Sequence, residues 1–247
     1  MIVTMLSGRK GSKGVPNKNV FPMLGRPLFW YPLQAAKHSK HIERIFISTD
    51  SDEISDAGRI EGATVIQRPP ELATDEALLE DVLLHGFQQV SDHLGEPPEM
   101  FVILLCNAAT IRAETIDRAI EMLRENPDAD SVATVALMNQ YGPVRAKKIV
   151  NGLMEPAVDM SQFKDLSCDR KCLGDIFFCD ASLWVLRPQC MDYSQGQPPF
   201  RWMGKNILPL VQQGGLDVDD ELGLILTEYW LRKNGFSETS TPYGASK

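Results

Sequence analysis

Acidic residues are absent from the first 42 positions of this 247-residue chain, and the first of them is Glu43. The whole chain nevertheless has a formal net charge of −8. An anion that approaches the N-terminal segment therefore meets no neighbouring carboxylate in sequence, whereas the acidic remainder argues against a nucleic-acid-binding surface. The basic residues of this segment are Arg9, Lys10, Lys13, Lys18, Arg26, Lys37 and Lys40.

Long apolar runs are also missing: none approaches eighteen residues, so no membrane-spanning helix is expected. The N-terminus lacks the charged region of a signal peptide. The five cysteines are few and scattered, which favours reduced thiols in the cytoplasm. Cys168 and Cys172 have no Cys-x-x-Cys or histidine pattern after them, so we predict no zinc site there.

A glycine-rich basic loop follows the first apolar run. Residues 2–6 predict a buried strand, and a helix is predicted to open at Pro27. Between them, Gly8, Gly11 and Gly14 allow sharp turns and close approach of backbone N–H groups to a ligand. With the neighbouring cations, this composition suits phosphate oxygens. The alternative is a solvated basic loop whose glycines serve only to turn the chain.

This loop lacks both common phosphate-binding fingerprints. The Walker spacing Gly-x4-Gly-Lys-Ser/Thr is absent, and the three glycines lie three residues apart, unlike Gly-x-Gly-x-x-Gly. Residues 9–19 read Arg-Lys-Gly-Ser-Lys-Gly-Val-Pro-Asn-Lys-Asn. This stretch resembles the signature of the sugar-acid cytidylyltransferases, the family of CMP-sialic acid and CMP-3-deoxy-manno-octulosonate synthetases. A second similarity is Arg-Pro-x-Glu-Leu-Ala-x-Asp, which begins here at Arg68.

The rest of the chain alternates short apolar strands with amphipathic helices. Strands are predicted at 45–48, 63–66, 131–137 and, in the centre of the sheet, 100–105, with an edge strand at 205–210 and a hairpin turning at Asn151-Gly152. We expect Thr74 to cap the third helix. The last helix is predicted to have an apolar face formed by Leu222, Ile225, Leu226, Tyr229 and Trp230.

This rhythm predicts an α/β fold with parallel strand pairing. The resemblance implies more: a Rossmann-like nucleotidyltransferase fold with a mainly parallel central sheet flanked by helices. It further implies one domain over residues 1–236, with a small dimerisation excursion at roughly 140–175 and hence a homodimer. Residues 237–247 lack apolar periodicity, so we expect a mobile tail.

The resemblance also implies a binding site for CTP. Arg9, Ser12 and Lys18, with the loop amides, would hold the triphosphate, and Arg9 and Lys18 would be catalytic. Asn19 and Arg68 would recognise the nucleotide, although a loop salt bridge is the alternative for Arg68. The full set of implied nucleotide-binding residues is Leu6, Gly8, Arg9, Gly11, Ser12, Lys13, Asn19, Arg68 and Cys106.

Two acidic residues precede the last helix. In an extended segment, Asp217 and Asp219 point to the same side, which suits a hard cation with oxygen ligands. The matching family segment binds magnesium, so the resemblance implies that both residues are catalytic ligands of Mg²⁺. The alternative is that Asp219 or Asp220 only caps the helix.

The acceptor substrate is the least determined part of the predicted function. The resemblance implies an anionic acceptor, favouring a nonulosonic or octulosonic sugar acid, contacted by Asn107, Arg145 and Asp175. Departures from the family pattern at Cys106-Asn107 and Gly174-Asp175 leave room for a small phosphonate. A non-catalytic nucleotide sensor would not need the acidic pair, and a basic-loop RNA binder would need interleaved aromatic residues. The chain is therefore predicted to be a cytidylyltransferase without nucleic-acid or membrane partners.

Overall fold

The computed structural model describes residues 1–12, 14–163, 174–214 and 217–244. The described elements alternate strands and helices along the chain. The helices are α1 Trp30–Lys37, α2 Asp52–Ile60, α3 Leu79–Leu94, α4 Ala113–Glu125 and α5 Glu221–Lys233. The strands are β1 Ile2–Ser7, β2 Pro22–Met23, β3 Arg26–Pro27, β4 Arg44–Thr49, β5 Thr64–Gln67, β6 Met100–Leu105, β7 Ser131–Leu137, β8 Lys147–Val150, β9 Leu153–Pro156, β10 Phe177–Leu186 and β11 Ile207–Val211.

Seven of these strands form one sheet in the order β11-β7-β10-β6-β1-β4-β5. All neighbours pair in parallel except β10, which is antiparallel to both β6 and β7. The expected mainly parallel sheet is confirmed, with β6 at its centre and the proline-containing β11 at an edge. The carboxyl ends of β1, β4, β5 and β6 lie side by side, because Ser7 aligns with Ser48 and Leu105, and Thr49 with Gln67.

Apolar side chains bury both faces of this sheet. On one face, Ile54, Leu33 and Ile116 bring α2, α1 and α4 against the strands. On the other, Leu83 of α3 packs in the cluster that contains Trp202. Each fully buried aliphatic or aromatic side chain of this kind contributes about 1.5–3 kcal/mol of transfer free energy. Packing on both faces of the sheet therefore fixes the positions of the strand ends.

A third apolar cluster joins the start of the chain to its end. Val15 of the glycine-rich loop, Leu28, Tyr31, Val218 and Leu231 are all at most 5% exposed and pack in one group. The segment before α5 is thereby held against the loop that follows β1. Two parts of the chain that are about 200 residues apart in sequence are therefore packed in the same apolar cluster.

Two predicted helix starts are wrong. The first helix begins at Trp30 because Arg26–Pro27 pairs with Pro22–Met23 around a turn with positive φ at Leu24 (45°) and Gly25 (75°). The third helix begins at Leu79, with no side-chain cap, so Thr74 does not cap it. Local sequence signals favoured the earlier start in both cases. For the first helix, the pairing of β2 with β3 overrides the signal at Pro27.

The apolar face predicted for the last helix is also misplaced. Leu222, Ile225, Leu226 and Tyr229 are exposed, whereas Thr227 and Leu231 are the buried residues of α5. These four predicted residues therefore face away from the core of this chain, whereas the fifth, Trp230, is partly buried and packs against the third apolar cluster.

The β8–β9 hairpin lies outside the main sheet and turns at Asn151-Gly152, as predicted, with positive φ at both residues (52° and 81°). It exposes Ile149, Leu153 and Met154. In the tail, the Tyr243 ring stacks on His38, with the ring centroids 4.4 Å apart. The domain boundaries and the mobility of residues 237–247 stay predictions. Among the described residues, no helix is both long and apolar enough to cross a membrane.

Candidate active site

The glycine-rich loop leaves β1 at Ser7 and packs directly on the end of β6. The Gly8 N–H donates to the Ser48 carbonyl (3.2 Å), and the Cys106 N–H donates to the Ser7 carbonyl (2.9 Å). A Cβ at Gly8 would lie 2.6 Å from both Cβ and Sγ of Cys106, so only glycine fits this crossing. Cys106 is fully buried behind the loop, and burial raises the pKa of its thiol to about 12. Leu6 is fully buried as well, and nucleotide contacts of both residues stay predictions.

The interior of the loop is stabilised by its own polar groups. The Ser12 hydroxyl donates to the Val15 carbonyl and accepts from the Lys18 N–H (3.3 Å). The Asn19 side-chain amide donates to the Arg9 carbonyl (2.9 Å), closing the loop across its base. Gly11 turns the chain at φ +71°, a left-handed conformation that favours glycine. Lys13 lies outside the described residues, so its prediction has no structural counterpart.

Two cations of this loop point into one cavity of about 390 Å³. Lys18 forms an ion pair with Asp219, and Arg9 forms an ion pair with Asp75. The cavity brings together the three side chains predicted to hold the triphosphate (Arg9, Ser12 and Lys18), Asn19, which is predicted to recognise the nucleotide, and one predicted metal ligand, Asp219. It is lined by Arg9, Gly11, Ser12, Gly14, Lys18, Asn19, Asp75 and Asp219.

The acidic segment is fixed to the end of β6 through Asn107. The Val218 N–H donates to the Asn107 carbonyl (3.0 Å), and the Asn107 side-chain amide donates to the Val218 carbonyl (3.2 Å) and to Asp217 Oδ2 (3.4 Å). Val218 is fully buried between the two acids. Burial and the nearby charge of Asp219 raise the pKa of the Asp217 carboxyl. Asn107 therefore holds the segment between the two acids and the Asp217 carboxylate, and its predicted contact with an acceptor stays a prediction.

The structure separates the possible helix cap from the possible metal ligands. The Asp220 carboxylate accepts from the Gly223 N–H (2.8 Å) and caps α5, while Asp219 pairs with Lys18. Two neighbouring carboxylates, one of them with a raised pKa, form a donor set that suits a hard divalent cation. Among the described residues no group of three or more His, Cys, Asp or Glu side chains could hold a metal ion, so the two carboxylates have no third ligand of these types.

Arg68 lies beneath the loop rather than in the cavity lining. It is only 5% exposed, and its guanidinium donates to the Ser7 hydroxyl (2.8 Å) and to the Ser48 carbonyl (2.8 Å). The salt bridge considered as an alternative is not found among the described ion pairs. Burial lowers the pKa of Arg68. A buried cation with neutral hydrogen-bond partners adds positive potential at the strand ends, where an anion would be stabilised.

Asn107 follows β6, whereas the two other residues predicted to contact the acceptor come after the carboxyl end of β7. Arg145 is exposed on the turn Pro143–Arg145. Asp175 accepts from the Asn139 side-chain amide (3.0 Å), just before β10 begins. Both residues lie in segments connected to the same edge of the sheet as the loop, and their roles stay predictions.

The sequence analysis missed Asp75. Its carboxylate pairs with Arg9 in the structure. The available signal was the motif that begins at Arg68, because Asp75 is the final acidic residue of that motif.

A basic loop and an acidic pair thus lie at the carboxyl edge of a mainly parallel sheet, an arrangement that suits a ligand with phosphate groups. The sequence profile of the cytidylyltransferase family matches residues 3–151, more than half of the chain. The chain belongs to the cytidylyltransferase family, as its sequence signature predicted.

Curated relatives support this placement. An N-acylneuraminate cytidylyltransferase of Escherichia coli O18:K1:H7 is 28% identical over 139 residues, which cover 56% of this chain and 32% of the relative. A pseudaminic acid cytidylyltransferase and UDP-2,4-diacetamido-2,4,6-trideoxy-beta-L-altropyranose hydrolase of Helicobacter pylori is 27% identical over 152 residues, 61% of this chain and 29% of the relative. The matched segments span about a third of the length of these relatives.

Solved structures show the fold over nearly the whole chain. A CMP:2-keto-3-deoxy-manno-octonic acid synthetase complexed with CTP has a TM-score of 0.67 at 16% identity, covering 94% of this chain and 98% of that one. A 4-diphosphocytidyl-2C-methyl-D-erythritol synthase from Anaerococcus prevotii has a TM-score of 0.62 at 10% identity, with 94% and 96% coverage. The expected Rossmann-like nucleotidyltransferase fold is confirmed.

Proposed function

We propose that this chain is a cytidylyltransferase that transfers CMP from CTP to an anionic acceptor, most favourably a nonulosonic or octulosonic sugar acid. The observation that carries the proposal is the convergence of Arg9, Lys18 and Asp219 on one cavity at the strand ends. Membership of the cytidylyltransferase family supports CTP as the nucleotide. The named relatives act on sialic and pseudaminic acids, which supports a sugar acid as the acceptor.

In this reaction an acceptor hydroxyl oxygen attacks the α-phosphorus of CTP. The bond from the α-phosphorus to its bridging oxygen breaks, pyrophosphate leaves, and the hydroxyl proton passes to solvent. The protein aligns the reactants and compensates charge. Arg9, Lys18 and the loop N–H groups bind the phosphate oxygens, and buried Arg68 adds positive potential from below. Arg145 and Asp175 contact the acceptor, with Arg145 opposite its negative group.

Asp217 and Asp219 hold Mg²⁺ in this proposal. The bound ion would supply Lewis-acid stabilisation of the phosphate charge. Asn107 keeps the Asp217 carboxylate in place through its amide, and Lys18 pairs with Asp219. A nucleotide sensor without catalysis would not need two acidic residues held in place in this way. The presence of the pair therefore favours an enzyme.

The enzyme acts as a homodimer. The hairpin side chains Ile149, Leu153 and Met154 are exposed, as are Phe177 and Phe178 at the start of β10. Clusters of exposed large apolar side chains mark interaction surfaces, which supports a second copy of the chain as the partner.

A pyrophosphate-release screen tests the function. CTP and Mg²⁺ are offered with octulosonic acids, nonulosonic acids and small phosphonates as separate acceptors. Turnover with a sugar acid is expected, while turnover with a phosphonate alone would retain cytidylyl transfer and replace the acceptor class. CTP binding without turnover on any acceptor would favour the sensor.

The Lys18→Ala variant tests the proposed role of the cavity in this reaction. It removes a cation from the cavity, so turnover should fall about a hundredfold. Lys40→Ala is the matched control, because Lys40 is exposed and lies outside the cavity. Full turnover of the Lys18 variant would contradict the assignment.

A further inference from the structure

Asp75 forms an ion pair that the proposed reaction does not explain. It lies in the segment between the turn Pro70–Leu72 and α3, and its Oδ1 accepts from Nη2 of Arg9, 66 residues away in sequence. The two side chains are about one third exposed (31% and 32%), at the wall of the same cavity. A carboxylate thus stands where the proposed ligand is itself an anion.

The two cations of the cavity differ in what their partners do. Lys18 pairs with Asp219, a proposed metal ligand, so its partner has a role of its own. Asp75 belongs to no proposed ligand set, and its segment is separate from both the loop and the acidic pair. The pair therefore bridges the loop after β1 to the segment before α3 and holds the two walls of the cavity together.

The geometry leaves most of the Arg9 guanidinium available to phosphate. A guanidinium has five N–H donors in a rigid planar fork, and the bond to Asp75 uses Nη2. Nε and Nη1 lie in the same plane, so fixing one arm of the fork also fixes the direction of the others. A long arginine side chain without this anchor would lose more conformational freedom when it binds an anion.

The same carboxylate also repels an incoming anion, and the two effects have opposite signs. Solvent screens the repulsion, because Asp75 is about one third exposed and already neutralised by Arg9. In contrast, the orientation of the Arg9 guanidinium by Asp75 acts directly on the donor that contacts the ligand, so we expect orientation to outweigh repulsion.

We infer that Asp75 is a positioning residue, whose carboxylate aims the Arg9 guanidinium at the phosphates of the bound nucleotide. The inference rests on the proposed function, since it takes the cavity to be a triphosphate site.

Calorimetric titration with inorganic tripolyphosphate tests this without CTP chemistry. Asp75→Ala should weaken binding about threefold to fivefold, the range expected for one partly exposed charged contact. Asp75→Asn keeps an oxygen acceptor for Arg9 and loses the negative charge, so its affinity should equal or exceed that of the wild type. Glu76→Gln is the matched control, since it removes a neighbouring exposed charge that does not line the cavity.

A double-mutant cycle separates positioning from a general structural role. In an Arg9→Ala background, the additional effect of Asp75→Ala should be much smaller than in the wild type, because the residue that it orients is gone. Tighter tripolyphosphate binding by Asp75→Ala would overturn the inference and make the carboxylate a competitor of the ligand. An effect of Asp75→Ala that persists undiminished without Arg9 would also overturn it.

Turnover measurements keep this result apart from the proposed function. With CTP, the Asp75→Ala change should raise KM for CTP more than it lowers kcat, and Asp75→Asn should restore KM. A wild-type protein that binds tripolyphosphate but never releases pyrophosphate from CTP would refute the proposed reaction. The tripolyphosphate cycle would still decide the role of Asp75.

Discussion

Neighbouring carboxylates before α5 allow catalysis and helix capping to be separated by single substitutions. Asp219 pairs with Lys18 at the cavity, whereas Asp220 accepts the Gly223 N–H and caps the helix. Asp219→Asn keeps the size of the side chain and removes its charge. Asp220→Ala removes the cap and leaves the cavity unchanged.

The expected magnitudes differ between the two readouts. Loss of one charged group that stabilises the reacting phosphates should cost about 2.7 kcal/mol, or about a hundredfold in turnover. The stability effect of Asp219→Asn should be within about 1 kcal/mol, because the carboxylate is 72% exposed and its ion pair is screened. Loss of the Asp220 cap should cost about 1 kcal/mol. In a chain of this size that lowers the melting temperature by about 2–4 °C.

The assays are pyrophosphate release over a series of Mg²⁺ concentrations and thermal unfolding of each variant. Asp219→Asn should lower turnover and raise the Mg²⁺ concentration required, with a nearly unchanged melting temperature. Asp220→Ala should lower the melting temperature and keep the wild-type response to Mg²⁺. The reasoning fails if Asp219→Asn retains wild-type turnover and metal response, or if both variants change both readouts alike.

Two further predictions concern a close backbone approach and a buried acid. A Cβ at Gly14 would lie 1.9 Å from the backbone carbonyl oxygen of Asp219, so Gly14→Ala should displace that segment and lower turnover by about a hundredfold; unchanged kinetics would contradict this. Asp180 accepts from Thr134 Oγ1 (2.6 Å) and Gln212 Nε2 (2.8 Å), and burial raises its pKa above 3.8. The folded state therefore binds the proton more tightly, so Asp180 makes a contribution that lowers the free energy of unfolding as pH rises above about 4. Urea unfolding should show that Asp180→Asn loses this slope; a slope equal to that of the wild type would contradict the assignment.

Local patterns predicted most of the sheet because its strands are short, continuous and apolar. The run at 100–105 is the central strand β6, and the proline in β11 marks an edge where a missing N–H costs no ladder bond. The position of the loop was also predicted correctly, because the apolar run before it is the strand β1, whereas its binding of phosphate stays a prediction. Its pairing with Asp219 could not be deduced, because nothing local connects residues about 200 positions apart.

The errors come from tertiary contacts that override local preference. Periodicity identifies an apolar stripe on α5 but not which surface it faces, and Leu222, Ile225 and Tyr229 face outward. Sequence reasoning assumed that every apolar stripe covers the core of its own chain. A stripe that covers a partner has the same periodicity, so the two cases are indistinguishable in sequence.

The third apolar cluster holds two distant segments of the chain against each other. Val15 belongs to the glycine-rich loop, and Val218 lies between the two acids in sequence; both are buried in the cluster with Leu28 and Leu231. Close packing transmits small displacements, so a shift of Val218 would move the acids relative to Lys18. Since Asn107 fixes Val218 from β6 as well, the acidic segment is held on two sides. The alignment of cation and carboxylates thus depends on apolar packing as much as on their own ion pair.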